Sequence, residues 1–366
     1  MDYQARRQHL QERLRRSKID MLLVSQPENR RYLSGFTARD HGIGESSGVL
    51  LIPARGAVQF LTDSRYELQA RQETALPVLL YKRGLFRLLG KLLRETACKR
   101  LAFESHYTLH SDGLKLTDLA EKLQFSLVPV SGLVEKLREV KSEAEIALIR
   151  RSVALNEEIF KSVFQSLTAG TTEIEIALTI ETAMRRAGAD GVSFETIVAA
   201  GENSARPHAV PTDRPVGRHE PITIDMGLVL TGYCSDMTRS FTLGTPDQRF
   251  LAIHRVVRTA QKAGIAAVKP GITMKTVDRA ARSVIESAGY GSFFGHSLGH
   301  GVGLAGHEAP SVSARSHRTL KAGMIVTVEP GIYLPKKFGV RIEDIVVLRD
   351  SGCENLTASP KELIVV

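Results

Sequence analysis

Apolar and polar positions change period along this chain, and the change divides it. A helical stretch over Tyr3–Ser17 gives way to short apolar runs at Asp20–Ser25 (DMLLVS), Gly48–Pro53 (GVLLIP) and Leu101–Glu104, which read as buried strands. Between them, Lys82–Arg100 puts Leu85, Leu88, Leu89, Leu92 and Leu93 on one face of a helix and leaves its Lys and Arg on the wet side. Strands alternating with helices predict an α/β domain with a mostly buried sheet. Around Ser131–Glu143 a long helix begins. Ser142 and Glu145 have the spacing of a capping box, and Ile146, Ile149, Val153, Ile159, Phe160 and Val163 follow roughly a helical period. The expected domains are 1–131 and 132–366, which suits 366 residues, too many for one ordinary domain.

The second part repeats itself. GTTEIEIALTIETAMRRAG (Gly170–Gly188) and GITMKTVDRAARSVIESAG (Gly271–Gly289) each read as a glycine, a threonine cap, an amphipathic helix and a glycine stop. ITIDMG (Ile222–Gly227) then matches VTVEPG (Val326–Gly331). Each half is a helix followed by strands, with an acidic residue at the same place. A duplicated unit predicts a pseudo-two-fold arrangement with one site shared between the halves.

Those acidic residues come in pairs. ITIDMGLVL and YCSDMTRSF are strand-like runs joined at Thr231-Gly232, which predicts a hairpin. If Leu230 faces Tyr233, Asp225 lies diagonally across from Asp236, within about 5–8 Å on one face. MIVTVEPGIYL and VRIEDIVVL flank a connection around Pro335–Gly339 and set Glu329 nearly opposite Glu343. Like charges opposed within apolar strands destabilise a sheet, and buried unpaired carboxylates cost several kcal/mol. Four of them in two matched hairpins require a cation. GHSLGHGVGLAGHEAP (Gly295–Pro310) adds His296, His300 and His307 on a glycine-rich loop that can approach a ligand closely. Oxygen-rich ligation with an imidazole suits manganese first, with cobalt or zinc also accommodated. His41, in a glycine-rich loop of the first domain, reads as a loop histidine. Cys234, two residues before Asp236, reads as a packed core cysteine.

Composition narrows the class. An apolar fraction of 43% and a charged fraction of 24% are globular. No apolar run reaches the length of a membrane span, and Met1–Arg16 is too polar for a secretory signal. Cys98, Cys234 and Cys353 form neither a disulfide framework nor a paired-cysteine zinc site, which fits a reducing compartment. The expected location is the cytoplasm, without a membrane partner. The net charge of +9 reads as a solvated basic surface in preference to a nucleic-acid site.

Asp225, Asp236, His300, Glu329 and Glu343, in that order and context, resemble the ligands of the pita-bread metallopeptidases. That family includes prolidase, aminopeptidase P, methionine aminopeptidase and the metal-free creatinase. SARPHAV, IDMG, SDMTRSF, GHGVGLAGHEAP, VTVEPGIY and RIEDIV are specific when found together, and the similarity covers nearly the whole chain. It implies an α+β protein. An α/β creatinase-type N-terminal domain would precede a C-terminal pita-bread catalytic domain with internal pseudo-two-fold duplication.

The resemblance further implies two divalent metal ions. Asp225 would serve one and His300 the other, Asp236 and Glu343 would bridge them, and Glu329 would add a further bond. His208, His296, His307, Arg341 and Tyr333 also match the family's site. The implied reaction is hydrolysis of an Xaa-Pro bond in dipeptides or short peptides, by a water activated at the two metals, in a homodimer. Glu329 would carry the water's proton, His307 or His208 would stabilise the oxyanion, and His296 and Arg341 would hold the substrate. Gly306 departs from the bulkier residue that many relatives carry there. The competing readings are a methionine-aminopeptidase-like enzyme, opposed by the long N-terminal domain, a creatinase-like metal-free enzyme, opposed by the complete ligand set, and a non-catalytic binding module.

Overall fold

The computed structural model describes residues 1–363. The chain separates into two compact units, Met1–Leu137 and Arg138–Val366.

The first unit is built on a six-stranded mixed sheet. Its order is Val78–Leu80, Gln59–Thr62, Val49–Pro53, Met21–Val24, Arg100–Glu104 and Ser126–Val130. Met21–Val24 runs antiparallel to Val49–Pro53 and parallel to Arg100–Glu104. Three of the six strands follow the expected apolar runs, and their central residues are fully buried, as the runs require. The basic stretch forms a shorter helix than its periodicity suggests, Leu85–Glu95. Gly84 at φ +92° begins it, and Ala97 at φ +49° lies just beyond its end. Leu89, Leu92 and Leu93 are buried, and Arg87, Lys91 and Arg94 are exposed.

The second unit carries the duplication. The helix Glu143–Ser166 starts on a complete capping box, with Glu145 N–H bonded to the Ser142 hydroxyl and the Glu145 carboxylate accepting from Ser142 N–H. Helices Glu173–Arg186 and Met274–Ser287 are the two repeats, capped by Thr172 and Thr273. Both are followed by a glycine in the left-handed region, Gly188 at φ +86° and Gly289 at +83°. The backbone repeats with them. Gly170 N–H donates to Val216 O at 2.8 Å, and its counterpart Gly271 N–H donates to Leu320 O at 2.9 Å. Each half has its own apolar cluster, one around Phe160, Ile180, Ile224 and Phe241, the other around Phe250, Val277, Val328 and Val340.

The hairpins hold the expected register. Leu230 pairs with Tyr233, and Met237–Thr242 runs antiparallel to Pro221–Met226 with Thr238 opposite Asp225. In the second half, Val328 pairs with Asp344 and Gly331 with Arg341. Continued through the gap, that register sets Glu329 against Glu343. Both ladders are interrupted at the carboxylates. Asp236, Glu329 and Glu343 lie in short breaks between strands, so backbone pairing yields where the side chains converge.

Candidate metal centre

Both hairpins and the histidine loop open onto one cavity of about 510 Å³ in the second unit. Asp225, Asp236, His300, Glu329, Glu343, His208, His296, His307, Arg341 and Tyr333 all line it. The sequence thus pointed to ten residues that one cavity brings together.

One ligating atom each from Asp236, His300 and Glu343 lies within 4.8 Å of the others. The His300 ring fixes what this cluster can hold. Its Nδ1 lies 3.1 Å from Gly301 O, which only accepts, so the proton sits on Nδ1. Burial lowers the ring's pKa to about 4, helped by His307, so the ring is neutral at neutral pH. Nε2 therefore presents a bare lone pair. It faces Glu329 Oε1 at 3.3 Å and Asp236 Oδ2 at 3.6 Å. Acceptors facing acceptors in a buried pocket repel unless a cation or a proton lies between them. Asp225 adds a buried Oδ1 with no hydrogen-bond partner among the described residues. Burial, then mutual repulsion, raises Asp236 and Glu329 well above the usual carboxylate range and Glu343 to about 8, with Asp225 the chief repelling charge on Glu343. The residues present fit a divalent cation.

Hydroxyls and one guanidinium orient these carboxylates. Thr238 Oγ1 donates to Glu343 Oε2 at 2.7 Å, and Thr327 Oγ1 lies 3.2 Å from Glu329 Oε1. Arg341 is buried, and each guanidinium nitrogen is engaged. Nε donates to Thr238 Oγ1, Nη1 to Tyr333 OH and Pro207 O, and Nη2 to Asp225 Oδ2 at 2.7 Å. His296 is engaged on both sides too. Its Nδ1 donates to Ser297 O at 2.8 Å, which leaves Nε2 to accept from Tyr333 OH at 3.0 Å. Burial lowers its pKa to about 4, so it is neutral. Arg341, Tyr333 and His296 form a chain behind the carboxylates. His307 is exposed and lies against His300 with ring centroids 3.9 Å apart and the planes tilted by 31°.

Sequence reasoning passed over Thr238 and Thr327, although each stands two residues from an acidic residue and so shares its strand face. It also passed over the apolar wall of Phe194, Ile197 and Val210. Cys234 is buried with Ile146, Val229 and Ile345, away from the cavity lining.

Residues 147–350 match the model of metallopeptidase family M24, and residues 6–140 that of the creatinase/prolidase N-terminal domain. The chain is similar to an Xaa-Pro dipeptidase of Pyrococcus furiosus, 33% identical over 95% of this chain and 96% of that protein. Among solved structures it is similar to an Xaa-Pro dipeptidase from Bacillus anthracis, with a TM-score of 0.93 and 35% identity over 100% of both chains. An X-Pro aminopeptidase from Thermotoga maritima superposes with a TM-score of 0.86 and 38% identity, covering 97% of this chain and 100% of that one.

Proposed function

The chain belongs to metallopeptidase family M24, and from that premise we propose that it hydrolyses Xaa-Pro bonds in dipeptides or short peptides. The observation that carries this reading is the bare His300 lone pair facing Asp236 and Glu329 inside a ring of carboxylates. Asp225, Asp236, His300, Glu329 and Glu343 hold two divalent ions in this proposal, manganese first, with cobalt or zinc as alternatives. When bound, such ions acidify water and polarise a carbonyl.

The chain's own residues do the rest. Glu329 accepts the proton of the attacking water and delivers it to the proline nitrogen. That nitrogen is tertiary in the substrate and leaves only once protonated. His307 and His208 donate hydrogen bonds to the scissile carbonyl oxygen as its charge develops. Arg341 aims Asp225 through its Nη2 and, through Thr238, orients Glu343. His296 and Tyr333 lock that arginine in place. Phe194, Ile197 and Val210 offer an apolar wall for the proline ring, which lacks the N–H that ordinary peptidases grip.

The reading extends to the whole chain. The change of unit between Leu137 and Arg138 supports a boundary in the region of the proposed domains 1–131 and 132–366. The absence of disulfides among Cys98, Cys234 and Cys353 supports a cytoplasmic setting. A homodimer follows from the resemblance and is checked by light scattering.

The test is proline release from Ala-Pro beside cleavage of Ala-Pro-Ala, with manganese and with a chelated control. Chelator-sensitive cleavage of the dipeptide alone makes this a dipeptidase, and preference for the longer peptide makes it an aminopeptidase. If neither is cut while metal is bound, the substrate class is wrong.

A further inference from the structure

His307 has an exposed side chain, and among the described residues no hydrogen bond holds it. It lies tilted against His300 and meets Phe194 edge-on at 6.5 Å between centroids. Its position over the site therefore depends on its backbone. The residue that follows is the opposite case. The Glu308 side chain is only 7% exposed, and Arg138 Nη2 and Lys141 Nζ both reach its carboxylate, the latter at 2.8 Å. Both cations are buried as well.

The carboxylate folds back across the turn that carries His307. A Cβ added at Gly303 would lie 2.4 Å from Glu308 Oε1, so the turn closes on that oxygen and any larger residue there would have to displace the carboxylate. Glu308 also pairs with Gly301, directly after His300, where the ladder shifts register. On the other side, Lys141 N–H donates to Gly323 O at 2.8 Å, which ties the cations to the chain leading into Ile325–Val328 and Glu329. A buried ion triad is a poor source of stability, because its desolvation cost offsets its attraction. Its geometry is that of a brace between the His307 turn and the approach to Glu329.

We propose that Glu308, clamped by Arg138 and Lys141, is a positioning residue that sets the His307 ring over His300. The kinetic arm of its test rests on the Xaa-Pro peptidase reading. Glu308→Gln keeps the shape and removes the charge. Expected is a roughly ten- to hundredfold loss of kcat on the cleaved peptide, with KM and bound metal unchanged. His307→Ala should lose a similar factor, and the double variant should be no slower than the slower single one, since both remove the same contribution. Losses that multiply in the double variant would overturn the proposal. A second readout needs no turnover. In the metal-free, 15N-histidine-labelled full chain, the His307 ring signal, identified by its loss in His307→Ala, should be single in the wild type. It should broaden or split in Glu308→Gln, and an unchanged signal would also overturn the proposal. If Glu308→Gln fails to fold, Lys141→Gln keeps the Arg138 pair and should give the same kcat loss and ring broadening in milder form. If the wild type cuts no Xaa-Pro peptide, the peptidase reading fails, and the ring signal alone decides the positioning role.

Discussion

His300 shows how one proton placement shapes the site. Gly301 O accepts a hydrogen bond from Nδ1–H, and Nε2 is left as an acceptor among acceptors. Thr238 acts in the same way one layer further out, giving its proton to Glu343 and accepting from Arg341 Nε at 3.0 Å. Thr238→Val keeps the side-chain shape and removes both bonds. Metal affinity should fall roughly ten- to hundredfold while the fold persists, as calorimetric titration with manganese can read. An unchanged affinity would mean that Glu343 needs no orienting partner. The same carboxylates set a pH dependence. In the metal-free protein, Asp236 and Glu329 are raised, and Glu343 is raised to about 8. The folded state therefore holds protons that the unfolded chain has released by about pH 5, and the stability these groups contribute falls as pH rises towards about 8. His296 and His300, lowered to about 4, work the other way, but only up to the ordinary histidine pKa of about 6.5. Between about pH 6.5 and 8 the carboxylates decide among the groups of the site. The melting temperature of the chelated protein should fall across that window, and the gain from manganese should grow. A chelated melting temperature that rises there would contradict the proposed protonation.

At the scale of elements, the duplicated caps are the most direct link from sequence to fold. Thr172 accepts from Glu175 N–H at 3.2 Å, and Thr273 from Thr276 N–H at 3.2 Å. Replacing either by alanine should cost about 1 kcal/mol in urea unfolding, because each removes one satisfied helix-end donor, and should leave metal affinity alone. A loss of metal binding in either variant would show that the caps act on the site as well as on their helices. The hairpins were legible for a similar reason. Thr231-Gly232 fixes one register, and a period of two then brings Asp225 to Asp236 and Glu329 to Glu343 on common faces. Strands Gln59–Thr62, Val78–Leu80 and Ser126–Val130 were not legible. They are short, the alternation is broken by Gln59, Thr62 and Pro129, and all three are stabilised by parallel neighbours distant in sequence. The brace on Glu308 was hidden too, because its Arg138 partner is 170 residues away and no local spacing marks it. Arg341 was recognised as part of the site, but its bonds to Asp225, Thr238 and Tyr333 appear only once the strands are paired.

Over the whole molecule, two units with separate cores divide the work. The predicted metal ligands all lie in the second, and no helix among the described residues is long and apolar enough to cross a membrane. In the proposed centre a divalent ion binds the native state and not the unfolded chain, so manganese should raise hydrogen-exchange protection across the strands of residues 138–363. Protection in the sheet of residues 1–137 should change little. Equal gains in both units would show that metal binding stabilises them as one cooperative body. The basic charge fits the same division of labour in part, since Arg87, Lys91 and Arg94 lie on the exposed face of a helix whose leucines fill the first unit's core. In the proposed site, four carboxylates and one histidine form a two-metal centre. Its most direct test is metal content by mass spectrometry after manganese loading and desalting, for the wild type beside Asp236→Asn and His300→Ala. Two equivalents in the wild type, with at least one lost in each variant and peptide cleavage lost alongside, is the predicted result. A wild type that retains no metal, or variants that keep both equivalents, would contradict it.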